Sequence, residues 1–330
     1  MAKIYITGIS GELGANIARL LLDMGFDVAG NDITRIKEAW RLSGITDKIT
    51  YKWKATQDLS REDLNGYDAI IDAGCQADRP LGETSPYYTH QNNLTAPMHL
   101  LETAKGLVTK PICIYPSSFV IFFGIPPSEQ PITEKTKPKP KGVYALTKYF
   151  AEETYRLYHD TYGVPIIITR VGSCFAGGGR SDQFIHRVII EMLQQKLHIH
   201  VWSSEAGRAY TYGEDALEFY KLLFNRDLND FVGATLHDAG NKENKAYTNT
   251  QIAELVKRIT GYEHEIKYMD NYEVTELVFD PEKNMNVPVI QHTDWEHSLS
   301  HDLLGWQPKH TIEEGLKKTV EWFKENLWRY

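Results

Sequence analysis

The sequence predicts an α/β fold: a Rossmann-type doubly wound parallel sheet joined to a smaller C-terminal domain. Three observations predict it. A short apolar, β-branched run at Lys3–Thr7 leads into glycines at 8, 11 and 14, and helical spacing then runs from Ala15 to Met24. Strand-like and helix-like stretches alternate from there to Arg170, the pattern of parallel strands joined by helical crossovers. Beyond Arg170 the pattern loosens into helices with short strands between them. The expected division is 1–170 for the sheet domain and 171–330 for the smaller one, with chain crossing back to the sheet.

Strand, glycine turn and helix are the context of a dinucleotide fingerprint. Gly8 turns the chain tightly, Gly11 leaves room for a pyrophosphate against backbone, and Gly14 lets the helix lie close on the strand. The helix N-terminus offers free N–H groups and its dipole to the anion. A glycine triplet alone also fits a flexible turn. The second strand, Phe26–Asn31, ends at Asp32, about 20 residues on, where the fingerprint needs an acid for the adenine ribose hydroxyls. That carboxylate repels a 2′-phosphate, so NAD is expected rather than NADP.

A polar helix is expected over Arg35–Leu42, strands at Ile49–Trp53 and Tyr67–Ala73, and a long helix over Thr84–Lys105 that Pro97 kinks or restarts. Pro111–Tyr115 is the fifth strand and sets Ser117 and Ser118 at its carboxyl end, where ligands of such sheets lie. The Pro- and Lys-rich stretch Gly124–Lys141 reads as a loop. Tyr144–Tyr162 is a helix stopped by Gly163, and Val164–Arg170 is the sixth strand. Further helices are expected near Phe184–Gln195, Glu214–Phe224, Asn249–Thr260 and Thr311–Asn326.

Composition excludes several classes. The 330 residues are 42% hydrophobic, enough for a large core, and the net charge of −8 with no basic block argues against nucleic acid or an anionic membrane as partner. No apolar run approaches the ~18 residues of a membrane span. The chain enters its first strand at once, leaving no room for a leader peptide, and its three cysteines are odd in number and widely spaced. A cytoplasmic protein with reduced thiols is expected. His297 and His301, four apart, have no evident third ligand, so no metal is expected.

Tyr144 and Lys148 stand four apart at the start of the helix after the loop, on one helix face. A free tyrosine titrates near pH ~10 and is a poor base at neutrality, but an adjacent ammonium favours the phenolate. Ser118 is placed to hydrogen-bond a substrate oxygen as it becomes a carbonyl. The three form a proton relay for hydride transfer, with Tyr144 as acid and base, Lys148 as its tuner and ribose holder, and Ser118 as positioner. The same spacing suits a plain amphipathic helix; the glycine turn, Asp32 and Ser118 give it meaning.

With these residues in place, the chain resembles the extended short-chain dehydrogenases/reductases of the NAD-dependent sugar epimerase/dehydratase type. The resemblance spans nearly the whole chain: T-G-I-S-G-E-L-G at 7–14, Asp32, Asp58-Leu59, D-A-G at 72–74, N-N-L-T-A at 92–96, P-S-S at 116–118, Y-A-L-T-K at 144–148, R-V-G-S at 170–173, L-G-W-Q-P at 304–308 and E-E-G-L-K-K-T-V-E-W at 313–322. It implies Gly8, Gly11, Glu12, Leu13 and Gly14 at the cofactor. It also implies Asp58 and Leu59 flanking the adenine, Ala73 and Gly74 lining the cofactor cleft, Asn93 supporting the active-site helix, and Ser117 and Val171 beside the cofactor. A homodimer through the Thr84–Lys105 and Tyr144–Tyr162 helices is a further implication.

Departures from the family narrow the chemistry. The stretch from Ser118 to Gly124 is one residue longer than usual, which keeps Ser117 as a substitute for Ser118. Family dehydratases carry Asp-Glu after the hydroxyl residue; Phe119-Val120 stand here, against 4,6-dehydration. Arg208 matches the first of two arginines that the family's nucleotide-sugar enzymes place on a diphosphate. The second, expected ahead of Thr293-Asp294, has no counterpart in N-M-N-V-P-V-I-Q-H. R-V-G-S-C at 170–174 is similar to uronate dehydrogenases, which implies Ser173 on a sugar acid. Arg180 is then a carboxylate clamp or a plain loop arginine. Gln76 is a candidate for a substrate hydroxyl, and His186 a lesser candidate for a second acid. The expected function is NAD-dependent hydride transfer at a hydroxyl of a sugar or sugar acid, as dehydrogenase or epimerase, with the free sugar binding at least as well as a nucleotide-linked one. The alternatives are a nucleotide-sugar 4-epimerase and a noncatalytic NAD-sensing module.

Overall fold

The computed structural model describes residues 2–202, 204–269, 274–280, 285–290, 292–293, 295–296 and 298–330. The chain falls into two units, one of Met1–Ile121, Pro140–Val171 and Leu217–His237, the other of Phe122–Lys139, Gly172–Ala216 and Asp238–Tyr330.

In the first unit β1 (Lys3–Thr7), β2 (Asp27–Asp32), β3 (Thr50–Trp53), β4 (Ala69–Asp72), β5 (Ile112–Ser118), β6 (Ile166–Val171) and β7 (Thr235–Asp238) form a seven-stranded sheet in the order β7-β6-β5-β4-β1-β2-β3. β1 pairs in parallel with β2 and β4, β2 with β3, β4 with β5, and β5 with β6. Every residue of β4 and β5 is buried, which is why these strands read as continuous apolar runs and not as alternating ones. The winding reverses between β1 and β4, so the carboxyl ends of all these strands, from Thr7 and Asp32 to Asp72 and Ser118, open at the edge where such sheets bind ligands.

Three helices fix what reaches that edge: α1 (Glu12–Asp23), α2 (Ala96–Lys105) and α3 (Val143–Tyr162). The helical stretch expected over Thr84–Lys105, kinked or restarted at Pro97, is in pieces, with a restart at that proline as expected: Arg79–Thr84, Pro86–His90, a π-helical turn at Gln91–Thr95, and α2. Pro97 is the cause. It has no N–H to give the carbonyl of Asn93, four residues back, so the ladder widens there and α2 restarts with the proline in its first turn. The expected helix over Arg35–Leu42 is two 3₁₀ turns, Ile36–Glu38 and Trp40–Leu42. Only Ala39 and Leu42 of that run are buried, too small a face to hold a short helix. α3 ends where Gly163 takes φ 62°.

α3 is bound to the sheet by charge as well as by packing. Glu152 is fully buried and accepts Arg170 Nε and Nη2, each at 3.0 Å, and Arg156 Nη2 at 2.9 Å. Arg170 sits on β6, 3% exposed.

In the second unit α4 (Phe184–Leu193), α5 (Asn249–Thr260) and α6 (Ile312–Asn326) surround a core that includes Phe175, Val188, Met192, Ile252, Val256 and Phe323. Two of these helices begin with reciprocal caps visible in the sequence, Thr248 with Gln251 and Thr311 with Glu314.

Asp238, the last residue of β7 and the first of the second unit's final segment, is an anomaly. It is wholly buried, one oxygen accepts the Gly172 N–H at 3.0 Å, and the other has no partner among the described residues. Burial pushes its carboxyl up to about 7, against the Gly172 hydrogen bond. The folded pKa then lies above the unfolded value of about 3.9, so stability is complete at low pH and is lost as pH rises through 7. Asp238→Asn should therefore be more stable than the parent at pH 8.5, by up to about 4 kcal/mol, and the gain should shrink toward pH 4. Urea unfolding at several pH values checks this; a gain that does not depend on pH refutes it.

Candidate active site

Backbone fills the turn after β1. Gly8 has φ 62°, and a Cβ there would lie 2.6 Å from Gly74 Cα; a Cβ on Gly14 would lie 2.4 Å from the Gly8 carbonyl oxygen. No side chain tolerates either contact, so β1, α1 and the end of β4 meet backbone to backbone. At Gly11 a Cβ would touch only the Gly8 oxygen, at 3.1 Å. Gly11 is the N-cap of α1, whose first turn of Glu12, Leu13 and Gly14 leaves N–H groups without helical partners. On β2, Asp32 is oriented by the Ser10 N–H at 3.1 Å and the Thr34 N–H at 3.0 Å. A helix N-terminus with bare backbone beside it, and an acid fixed on the next strand, fit a dinucleotide. Arg35 is held 4.8 Å over the Trp53 ring.

The neighbouring positions divide. Asp58 is exposed after β3. Leu59 does not present its side chain: it is 2% exposed in the core with Tyr5, Ile70 and Leu100, which leaves its backbone for any nucleotide contact. Ala73 and Gly74 are part-buried beyond β4, and the Gly74 N–H donates to Thr7 Oγ1 at 3.0 Å. Val171 pairs with Ser118 across β5 and β6.

Ser118 is 8% exposed, and its one hydrogen bond among the described residues is a long 3.5 Å contact from the Val120 N–H. Ser117 is more deeply buried, and its Oγ has no partner among the described residues. Alternation along β5 aims the two hydroxyls to opposite faces of the sheet. On α3, Tyr144 is part-exposed while Lys148 is 3% exposed. Lys148 Nζ donates to the Pro116 carbonyl at 2.8 Å and lies 4.2 Å from the Tyr115 ring centroid. The lysine that would tune Tyr144 is thus tied to the strand that carries Ser118. Burial pushes the Lys148 ammonium toward neutrality; Cys75, Asp72 and Glu152 act against that.

The π turn explains Asn93. It carries the side chain inward, where Oδ1 accepts the Gln76 N–H at 2.7 Å and Nδ2 donates to the Gln76 carbonyl at 3.0 Å and to Thr147 Oγ1 at 3.3 Å. Asn93 therefore ties the chain beyond β4 to α3. Gln76 Nε2 donates to the Asp78 carbonyl at 2.7 Å; its Oε1 is buried with no partner among the described residues, an acceptor suited to a hydroxyl. Two supporting residues escape sequence reading. Glu83 accepts the Val143 N–H at 2.8 Å and so caps α3 from another helix. Asp72 ends the apolar strand β4, and a carboxylate in such a run was the signal available.

In the second unit Ser173 pairs with Tyr210, and Arg208 is 7% exposed, its Nη1 3.4 Å from the Tyr210 hydroxyl. Arg180 forms a two-pronged ion pair with Asp182, with Nε at 2.9 Å. His186 is fully buried and close to Phe323. Its Nε2 accepts the Ala176 N–H at 3.3 Å, so the proton sits on Nδ1, which donates to the Arg180 carbonyl at 3.1 Å. Both nitrogens are spent on loop backbone, which corrects the expectation of a second acid. Asn284, Gln291, Asp294 and His297 lie outside the described residues. Among the described residues no cluster of three His, Cys, Asp or Glu is arranged for a metal, no helix is long and apolar enough to cross a membrane, and the three cysteines are free.

Residues 5–319 match the family described as GDP-mannose 4,6 dehydratase. The chain belongs to that family. Its membership places it among the extended short-chain dehydrogenases/reductases of the epimerase/dehydratase type. It is 25% identical to a UDP-glucuronate 4-epimerase of Thermodesulfobacterium geofontis, over 99% of this chain and 98% of that one. It is 24% identical to a dTDP-glucose 4,6-dehydratase of Haemophilus influenzae, over 99% of each. Its fold matches a Bacillus cereus UDP-glucuronic acid 4-epimerase solved with UDP-glucuronic acid and NAD, with TM-score 0.82, 20% identity, and 98% and 99% of the two chains covered.

The glycine turn yields a paired prediction. Gly14→Ala forces its Cβ against the Gly8 oxygen and should cost about 1–3 kcal/mol of stability as overpacking does. Gly11→Ala should fold with smaller loss yet bind dinucleotide at least tenfold more weakly. Chemical denaturation and calorimetry separate the two; equal stability losses in both variants contradict the assignment.

Proposed function

We propose that this chain is an NAD-dependent oxidoreductase of sugars that oxidises a hydroxyl on a nucleotide-linked sugar and reduces it again, as a 4-epimerase. The observation that carries the reaction class is Lys148: an ammonium buried one helical turn after Tyr144 and bonded to the strand that ends in Ser118. NAD, held by the Gly8–Gly14 turn and Asp32, supplies a hydride acceptor and donor. Tyr144 takes the hydroxyl proton and gives it back, Lys148 stabilises the phenolate, and the Ser118 hydroxyl donates to the substrate oxygen as it becomes a carbonyl. Asp32 disfavours a 2′-phosphate, and the stacking of Arg35 on Trp53 leaves that preference in place.

The substrate class rests on two supports. The curated relatives bear nucleotide-sugar names, and Arg208 is a buried arginine suited to a diphosphate. The small sugar-acid reading has less behind it, because the Arg180 guanidinium is taken up by Asp182. Val120, 5% exposed, and Phe119 offer no acid after Ser118, which favours epimerisation over dehydration. We also read a homodimer, since Leu146, Phe150 and Leu157 make an exposed apolar stripe on α3, one of the two helices through which the resemblance implies pairing.

Product analysis with UDP-sugars tests the reaction. Tyr144→Phe should lower turnover by about 10²–10⁴-fold with NAD affinity nearly unchanged. UDP should bind the NAD-loaded protein and lose about 1.5–3 kcal/mol in Arg208→Ala. A Tyr144→Phe protein that keeps most of its rate removes the relay; no detectable UDP binding, with turnover of a free sugar, restores the small-substrate reading.

A further inference from the structure

Asp72 has no part in the relay above, yet it lies at the other end of a buried chain of contacts from Lys148. It is 2% exposed, and its oxygens accept Thr7 Oγ1 at 2.6 Å and the Tyr155 hydroxyl at 2.8 Å. Tyr155 stacks on Tyr115 with centroids 4.6 Å apart, and the Tyr115 ring is the one beneath Lys148 Nζ. Asp72, Tyr155, Tyr115 and Lys148 are all 3% exposed or less.

Cys75, Asp72 and Glu152 all favour the Lys148 ammonium, and of these Asp72 is the buried group with no ion pair of its own among the described residues. Glu152, one turn along α3 from Lys148, is matched by two arginines, Arg170 and Arg156. Tyr115, Tyr155 and the Cys113 thiol face Asp72, and burial pushes all three further toward their neutral forms. Tyr144 and the exposed Cys75 thiol complete the surroundings. Asp72 itself accepts only from neutral hydroxyls and has no ion pair within 4.0 Å among the described residues. Its carboxylate is therefore the buried negative charge left for Lys148. Burial drives Asp72 toward the neutral acid, against Thr7, Tyr155 and Lys148.

We propose that Asp72 is a positioning residue, its carboxylate the counter-charge that keeps the Lys148 ammonium in the buried site while its bond to Thr7 ties the glycine turn to the helix that carries Tyr144. The consequence for turnover rests on the oxidoreductase reading; the coupling of the two charges does not.

The test is an NMR titration of the full chain with ¹³C-labelled lysine, following Lys148 Cε, whose signal is identified by its loss in Lys148→Met. Asp72→Asn keeps the shape and removes the charge. The Lys148 midpoint should fall by about one pH unit, and the shift should persist in a Cys75→Ser background, which removes the thiol that also faces the lysine. Tyr155→Phe removes a hydrogen bond but neither charge and should move the midpoint far less. In turnover, the alkaline limb of the pH profile should move down with the Lys148 midpoint. If Asp72→Asn does not fold, the reciprocal measurement stands in: the Asp72 carboxyl should titrate about one unit higher in Lys148→Met. A Lys148 midpoint unmoved by Asp72→Asn, an equal shift in Tyr155→Phe, or an Asp72 midpoint unmoved in Lys148→Met overturns the proposal. The titration needs no substrate, so a protein inert toward every sugar would refute the functional reading and leave this one standing.

Discussion

A bare ammonium in a protein interior is unstable by several kcal/mol unless hydrogen bonds and opposite charge surround it, and the first unit is organised around one. Lys148 gives one proton to the Pro116 carbonyl and lies over the Tyr115 ring. Both partners belong to β5, so the need to satisfy the amine also fixes the height of α3 along the strand. The Glu152 cluster fixes the next turn of the same helix. Leaving Arg170 buried without Glu152 would cost about 3–5 kcal/mol, whereas a neutral hydrogen bond such as Asn93 to Thr147 contributes about 1 kcal/mol. The charged contacts therefore set where α3 sits, and the neutral ones refine it.

Backbone contact is the second organising constraint. Gly8 against Gly74, and Gly14 against the Gly8 carbonyl, bring β1, β4 and α1 closer than any side chain would permit. The hydroxyl of Thr7 then reaches both the Gly74 N–H and Asp72, so one residue joins the glycine turn to the polar interior beside Lys148. Pro97 contributes from farther off. By breaking the helical ladder it turns Asn93 inward, where a single amide holds both backbone groups of Gln76. A helix-breaking residue thereby becomes a device for placing the chain beyond β4.

Much of this was legible in the order of residues. The strand, glycine turn and helix of residues 3–24, the acid at 32, the serines at the end of β5, and Tyr144 with Lys148 are local patterns, and each appears where its spacing placed it. The caps at Thr248 and Thr311 are equally local. Length misled where packing decided. Arg35–Leu42 is long and polar enough to read as a helix but lacked a face to bury, whereas the restart of Thr84–Lys105 at Pro97 was legible from the proline itself. His186 looked like a spare acid because a sequence does not say that both ring nitrogens meet loop backbone.

The sequence by itself determined the doubly wound sheet and the residue types of the proposed relay, because strand and helix periods and glycine spacing act over a few residues. Only the tertiary structure decided which charges neutralise one another. Asp72 and Tyr155 are 83 positions apart, Glu152 and Arg170 are 18, and Glu83 reaches Val143 across 60. Whether a buried carboxylate is spent on an arginine, caps a helix or remains for a lysine depends on distances of a few ångströms between such remote residues, and Coulomb energy in a low-dielectric interior is steep over that range.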